Sequence, residues 1–182
     1  MYGVAQPTIQ GMKNVVRTIM NEKTPPKKII WINLREEPLI YINGVPYVLR
    51  DQYFTLRNIK SYSGITSTRL ESIEMRLKED VVGELHSYDE KILLHGEDEQ
   101  GNIDPVWEDC EVENVLTMRE AMDVLRDEVA ESGVIAESGV KHVHVEFHRV
   151  PVTAETPPDD NDLDHMLQIL GGSSLSDTAI IL

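Results

Sequence analysis

The chain has 182 residues, 41% of them hydrophobic and 27% charged, which suits one globular domain that buries a core without disulfides. Seventeen basic against thirty-two acidic residues give a net charge of −15, so nucleic acid and anionic membrane surfaces are poor partners. No apolar run is long enough to span a membrane, the opening MYGVAQPTIQGMKN does not read as a signal peptide, and the single cysteine, Cys110, suits a reducing cytoplasm.

In chain order, KKIIWINL (27–34) follows a Pro-Pro break and is rich in β-branched residues, which predicts a buried, central strand. EEPLIYINGVPYVLRD (36–51) places two β-rich runs around Asn43-Gly44, the residue pair of a type I′ hairpin, with Pro46 at the turn or on an edge strand. From Thr68 the period changes. Leu70, Ile73, Leu77, Val81 and Leu85 form one helical stripe, with Thr68 and Glu71 as its capping box. KILLHGED (91–98) reads as a strand, and Thr117 with Glu120 caps a second helix carrying Ala121, Leu125 and Val129.

VAESGV (129–134) followed by IAESGV (135–140) is a local duplication, too short for a repeat architecture. A strand over 141–152 comes next, then a short helix with Leu163, Met166, Leu167 and Leu170, capped by one of the preceding acids. The segment GGSSLSDTAIIL ends in residues that want burial. Alternating strands and helices predict an α/β fold with a mixed, mostly parallel sheet and an antiparallel hairpin. Residues 1–170 form the domain, and 171–182 a linker with a strand-like tail.

In the strand, His142, His144, Glu146 and His148 share one face and Val143, Val145 and Phe147 the other. Alternation of this kind marks a half-buried strand with its polar row in water. The competing reading makes His142, His144 and His148 zinc ligands, since two histidines at i and i+2 can bind one ion.

Several segments resemble the protein tyrosine phosphatase-like phytase domain of inositol hexakisphosphate phosphatases and paladin-type proteins. They are YGVAQPTIQGMKNVV (2–16), WINLREEPLIYINGVPYVLRD (31–51), GITSTRLESIEMRLKEDVV (64–82), LLHGEDE (93–99) and RVPVTAETPPDDNDLD (149–164). The order is kept over nearly the whole chain, and the NLREEP-hairpin-LRD block, its most specific part, looks closer to the tandem-repeat paladin-like proteins than to the compact bacterial enzymes. The resemblance implies a phosphatase fold with helices on both faces of the sheet. It also implies a cysteine thiolate in a Cys-x5-Arg loop as nucleophile and a loop aspartate as general acid.

This chain departs from that pattern in three places. The sixth residue after Cys110 is Leu116, and the acids Glu108, Asp109, Glu111 and Glu113 around the cysteine oppose a thiolate. RVPVTAETPP carries Ala154 where the family's R-I-P-I-T-D-x-x-x-P segment carries its acid, and the neighbouring Glu155 would point elsewhere. SDTAIIL resembles the strand that leads into the cysteine loop, and the 182 residues stop there, so the fold is expected to be incomplete at its C-terminus. Asp159, Asp160, Asp162 and Asp164 read as helix-start acids that complement the macrodipole.

What remains for binding is Arg35, Arg50 and Arg69, with His95 facing the same crevice. All are candidates for phosphate contacts; the competing roles are structural salt bridges for the arginines and a satisfied structural histidine for His95. The expected function is a catalytically inactive or truncated phosphatase-like module of a larger protein, without a cofactor. Its partners would be a phosphorylated small molecule or neighbouring phosphatase-like repeats. The alternatives are the front part of a cysteine-dependent inositol-phosphate, phosphoinositide or protein phosphatase, and a zinc-binding module.

Overall fold

The computed structural model describes residues 1–50, 62–98, 100, 102–136, 139–153, 156–172 and 176–182. Ten strands and four helices follow one another among them. α1 (Ile9–Met20) precedes β1 (Lys28–Asn33) and the hairpin of β2 (Leu39–Ile42) and β3 (Val45–Val48). α2 (Ser67–Ser87) leads to the ribbon of β4 (Lys91–Glu97) and β5 (Ile103–Asp109). After β6 (Val115–Thr117) come α3 (Met118–Ser132), β7 (Val134–Ala136), β8 (Gly139–Lys141), β9 (His144–Arg149), α4 (Asp160–Gly171) and β10 (Thr178–Ile181).

β1 is the central strand of a three-stranded parallel sheet ordered β10-β1-β9, and Ile29, Ile30, Trp31 and Ile32 are all buried. Its two faces meet different layers. Ile29 and Trp31 pack with α1 and α3 through Met12, Val16, Met122 and Leu125, while Ile30 and Ile32 meet Met166, Ile169 and Leu170 of α4. Helices on both faces explain why β1 reads as a continuous apolar run. Each such side chain stabilises the fold by about 1.5–3 kcal/mol relative to exposure.

β10 is a full member of this sheet. It pairs with β1 on one side, and Tyr2 to Val4 lie along its other side through Tyr2 N–H to Ile180 O and Val4 N–H to Leu182 O, at 2.8 and 2.9 Å. The boundary drawn after residue 170 therefore does not hold for the strand. Its apolar residues are buried because they complete the β1 ladder.

A second sheet, β3-β2-β6, is antiparallel, and Asn43 and Gly44 take the left-handed φ values of +51° and +78° expected of a type I′ turn. Pro46 lies on the edge strand β3. β4 pairs with β5 and β7 with β8, so antiparallel ladders are more numerous than the one hairpin that the sequence announced. The missed strands are short or sit in polar sequence. The first of the duplicated segments ends α3 at Gly133 and runs into β7, and the described residues of the second lie in β7 and β8.

Capping follows the sequence with one correction. Thr117 and Glu120 form a complete capping box on α3, and Asp159 with Asp162 forms another on α4. On α2 the N-cap is Thr66, two residues before the expected Thr68, and its hydroxyl accepts from the Arg69 amide. No helix among the described residues is long and apolar enough to cross a membrane.

Candidate functional site

The carboxyl ends of β1 and β10 open into a recess of about 490 Å³ lined by Gln6, Pro7, Asn33, Arg35 and Leu182. Crevices at this end of an open α/β sheet are where such folds place ligands. Asn33, the last residue of β1, organises the floor. Its Oδ1 accepts from the Arg35 amide at 3.0 Å, and its Nδ2 donates to Gln6 Oε1 at 2.9 Å. Gln6 donates in turn to the Tyr41 hydroxyl at 2.5 Å, which donates to Pro7 O at 3.0 Å. Burial pushes the Tyr41 phenol up, so it stays protonated and serves as a donor.

Of the sequence-predicted arginines Arg35 lines this recess, and it meets Arg50 on a shared acid. Arg35 and Arg50 each place a guanidinium nitrogen 3.6 Å from the carboxylate of Glu37, which is buried while both arginines are about one-third exposed. One acid thus holds two cations side by side. The same contacts are the salt bridges that the sequence offered as the competing role. Arg69 stays apart, on the exposed first turn of α2. His95 lies on the outer, solvent face of the β4–β5 ribbon and lines neither this recess nor the one below. Strand alternation sends Ile92 and Leu94 inward and His95 out. Asp51, after Arg50, lies outside the described residues.

A second recess, of about 370 Å³, lies between the first turns of α2 and α4 and includes Thr66, Thr153, Asp159 and His165. The loop that follows β9 is anchored here. Thr153 donates to the buried Glu36 carboxylate at 2.9 Å and accepts from the Gly64 amide at 3.3 Å. Ala154 and Glu155, the two positions of the general-acid question, lie outside the described residues. The residue holding their approach is therefore fixed on both sides.

Beneath the two recesses lies a pair that the sequence reading missed. Arg149, at the end of β9, grips Glu74 of α2 with Nη1 at 2.7 and 2.8 Å from the two carboxylate oxygens, and both side chains are 1% exposed. Glu74 also accepts from the Leu39 amide at 3.0 Å, whereas Arg149 Nε has no hydrogen-bond partner. Burial raises the Glu74 carboxyl, and Arg149 offsets part of that rise. The signals were present. Glu74 lies four residues after Leu70, on the apolar stripe of α2, and Arg149 shares the inward face of Val145 and Phe147.

Cys110 is buried at 3% exposure, just beyond β5. Burial pushes its thiol up, and Glu108 and Glu111 push the same way, against a lowering contact with the Asn43 backbone. Such a thiol is a poor nucleophile at neutral pH.

The histidine row does not assemble a metal set. His142 precedes β9 and its ring sits beside Gly133, out of line with His144 and His148. Glu146 lies between the latter two, 3.4 and 3.6 Å from their Nε2 atoms, but it also takes Lys28 Nζ at 2.9 Å. Among the described residues no group of three His, Cys, Asp or Glu side chains is placed to hold a metal ion.

The backbone arrangement is that of a cysteine phosphatase-like α/β domain. It superimposes on the PTP-like myo-inositol phosphatase of Mitsuokella multacida, solved with myo-inositol-(1,3,4,5)-tetrakisphosphate, with a TM-score of 0.68 and 15% identity over 98% of this chain. The tandemly repeated protein tyrosine phosphatase-like phytase of the same organism gives a TM-score of 0.66 at 16% identity, again over 98% of this chain. Chicken (Gallus gallus) paladin is 32% identical over 82 residues, 45% of this chain. The family model described as inositol hexakisphosphate, PTP-like phytase, matches residues 32–182. The chain belongs to the protein tyrosine phosphatase-like phytase family. It spans 25% of each Mitsuokella chain and 9% of chicken paladin.

Proposed function

We propose that this domain does not hydrolyse phosphate esters by itself and serves a larger, paladin-like protein of the reducing cytoplasm as a structural or binding module. The observation that carries the reading is the state of its only thiol. Cys110 is buried in an apolar cluster with Ile42, Leu85 and Ile92, burial and the acids Glu108 and Glu111 push its thiol up, and Leu116 stands where a Cys-x5-Arg loop needs its arginine. Ala154 supports the same reading independently, since a methyl group has no proton for a leaving oxygen.

Binding is the activity left to the crevice. The Arg35/Arg50 pair on Glu37 offers guanidinium donors to a phosphorylated small molecule at the carboxyl end of β1, and neighbouring phosphatase-like repeats are the other partners that suit such a module. A second reading takes the chain as the front part of a cysteine-dependent phosphatase. It is favoured by the position of the recess, at the carboxyl ends of β1 and β10 with Arg35 and Asn33 in its lining.

The test is turnover of inositol hexakisphosphate and para-nitrophenyl phosphate by the purified protein beside its Cys110→Ser variant. No turnover above buffer is expected. A rate that the substitution abolishes would overturn the reading.

A further inference from the structure

We propose that the outer face of the β4–β5 ribbon docks a basic amphipathic helix of a partner protein. Strand register sets the face: Leu93 stands opposite Trp107 and His95 opposite Pro105, with Ile103 further along, and Tyr88 tilts against Trp107 at 5.7 Å between ring centroids. These are large side chains left in water. Trp107 is 55% exposed, Tyr88 56%, Leu93 40% and Ile103 39%. The inward residues Ile92 and Leu94 are buried, so the core holds the ribbon through β4, while β5 stands in solvent and the face of Leu93 and Trp107 offers an aromatic-apolar strip. Scattered exposed apolar residues need no explanation, but a contiguous strip centred on a tryptophan marks an interaction surface.

Charge selects the occupant. Residues 88–109, YDEKILLHGEDEQGNIDPVWED, contain eight acids and one lysine, so this short segment holds about half of the net charge of −15. The lysine, Lys91, is itself 3.8 Å from Asp109. Asp109 lies on the strip's own face two residues after Trp107, and Asp89 is exposed next to Tyr88. A second copy of the chain would bring like charges together, and an anionic lipid surface would be repelled. A cationic partner gains on both counts. Shape completes the argument. Two strands about 4.8 Å apart make a face close to the 10–12 Å diameter of a helix, and seven residues of ribbon run about 23 Å, the length of roughly four helical turns. Pro105 within β5 lacks the amide that an added strand would use, which favours a helix over strand addition.

The experiment follows the emission of Trp107 in the whole protein, because the other tryptophan, Trp31, is 2% exposed and gives a constant background. The probes are a 15-residue Lys/Leu amphipathic peptide and its Glu/Leu counterpart. Saturable binding of the Lys/Leu peptide alone is expected, weakening roughly tenfold or more when salt rises from 0.05 to 0.5 M. Isothermal titration reads the variants. Trp107→Ala and, separately, the charge reversal Asp109→Lys should each weaken binding by roughly tenfold or more with an unchanged circular dichroism spectrum. The proposal is overturned by any of three results: no binding of the Lys/Leu peptide, equal binding of both peptides, or sedimentation showing self-association that Trp107→Ala removes.

Discussion

Replacing Arg149 by Met removes the guanidinium that grips Glu74, and the size of the penalty can be bounded from the structure. Glu74 is 1% exposed at its side chain and would keep a single hydrogen bond, from the Leu39 amide. Breaking one partner of a buried ion pair typically costs about 3–5 kcal/mol. A proton can relieve part of this. Carrying a carboxyl from its ordinary 4.5 to neutral form at pH 7 costs about 3.4 kcal/mol, at 1.36 kcal/mol per pH unit, so the electrostatic part cannot exceed roughly that value.

Arg149→Met should therefore destabilise the domain by about 3 kcal/mol at pH 7, seen as a lowered urea midpoint with an unchanged m-value and a fall in Tm of about 6–12 °C. The sign of the pH dependence follows from the raised carboxyl. The folded state holds its proton at higher pH than the unfolded state, so the penalty shrinks as pH falls toward the ordinary carboxylate range and is full above the folded pKa. The double variant Glu74→Leu/Arg149→Met removes both charges and should recover most of the loss, leaving about 1–3 kcal/mol for the orphaned Leu39 amide. A single-variant cost under about 1 kcal/mol, or a penalty that does not change between pH 7 and 5, would refute the reasoning.

Three further outcomes are expected. Burial pushes the Glu120 carboxyl up, but the Lys78 ammonium at 2.8 Å and the Thr117 amide outweigh it and hold it below its ordinary value. Glu120→Gln keeps the capping geometry, so the variant should be less stable at neutral pH, with the gap closing as pH falls below about 4.5 through the folded pKa, in urea titrations against pH. Two glycine-to-alanine changes should differ in sign. Gly133, at φ +67°, would bring a Cβ to 2.6 Å from Val140 and lose about 1–3 kcal/mol, whereas Gly83, inside α2 with open space around it, should gain about 0.5–1 kcal/mol by thermal melting. Cys110 should react with a disulfide thiol reagent at pH 7 far more slowly than free cysteine, and burst labelling in the native protein would contradict its buried, proton-holding state.

The parts legible in the sequence are those where one local signal decides. Asn43-Gly44 sets its own turn, Thr117 with Glu120 starts α3, and the run Ile29–Ile32 announces burial on both faces. The site was only partly legible. Arg35 stood out as a cation at the end of a strand, but its meeting with Arg50 on Glu37 depends on a hairpin that folds back beside β1. Glu74 and Arg149 lie 75 residues apart, and Gln6 reaches Asn33 and Tyr41 across 27 and 35 positions, distances that no local period encodes. His142 shows the opposite error. Alternation assigned it to the row of His144 and His148, yet the strand begins only at His144, and the ring turns to the corner at Gly133.

The ladder that joins Lys28–Trp31 to Thr178–Ile181 closes a loop of about 150 residues. On the ribosome, at roughly 5–20 residues per second, the nascent β1 waits about 8–30 s before that neighbour is even synthesised. Throughout that interval the hydrophobic run Ile29–Ile32 shows an unsatisfied backbone edge to the cell. Newly made copies are thus exposed to aggregation, and to chaperones, until β10 has been synthesised and seated beside β1.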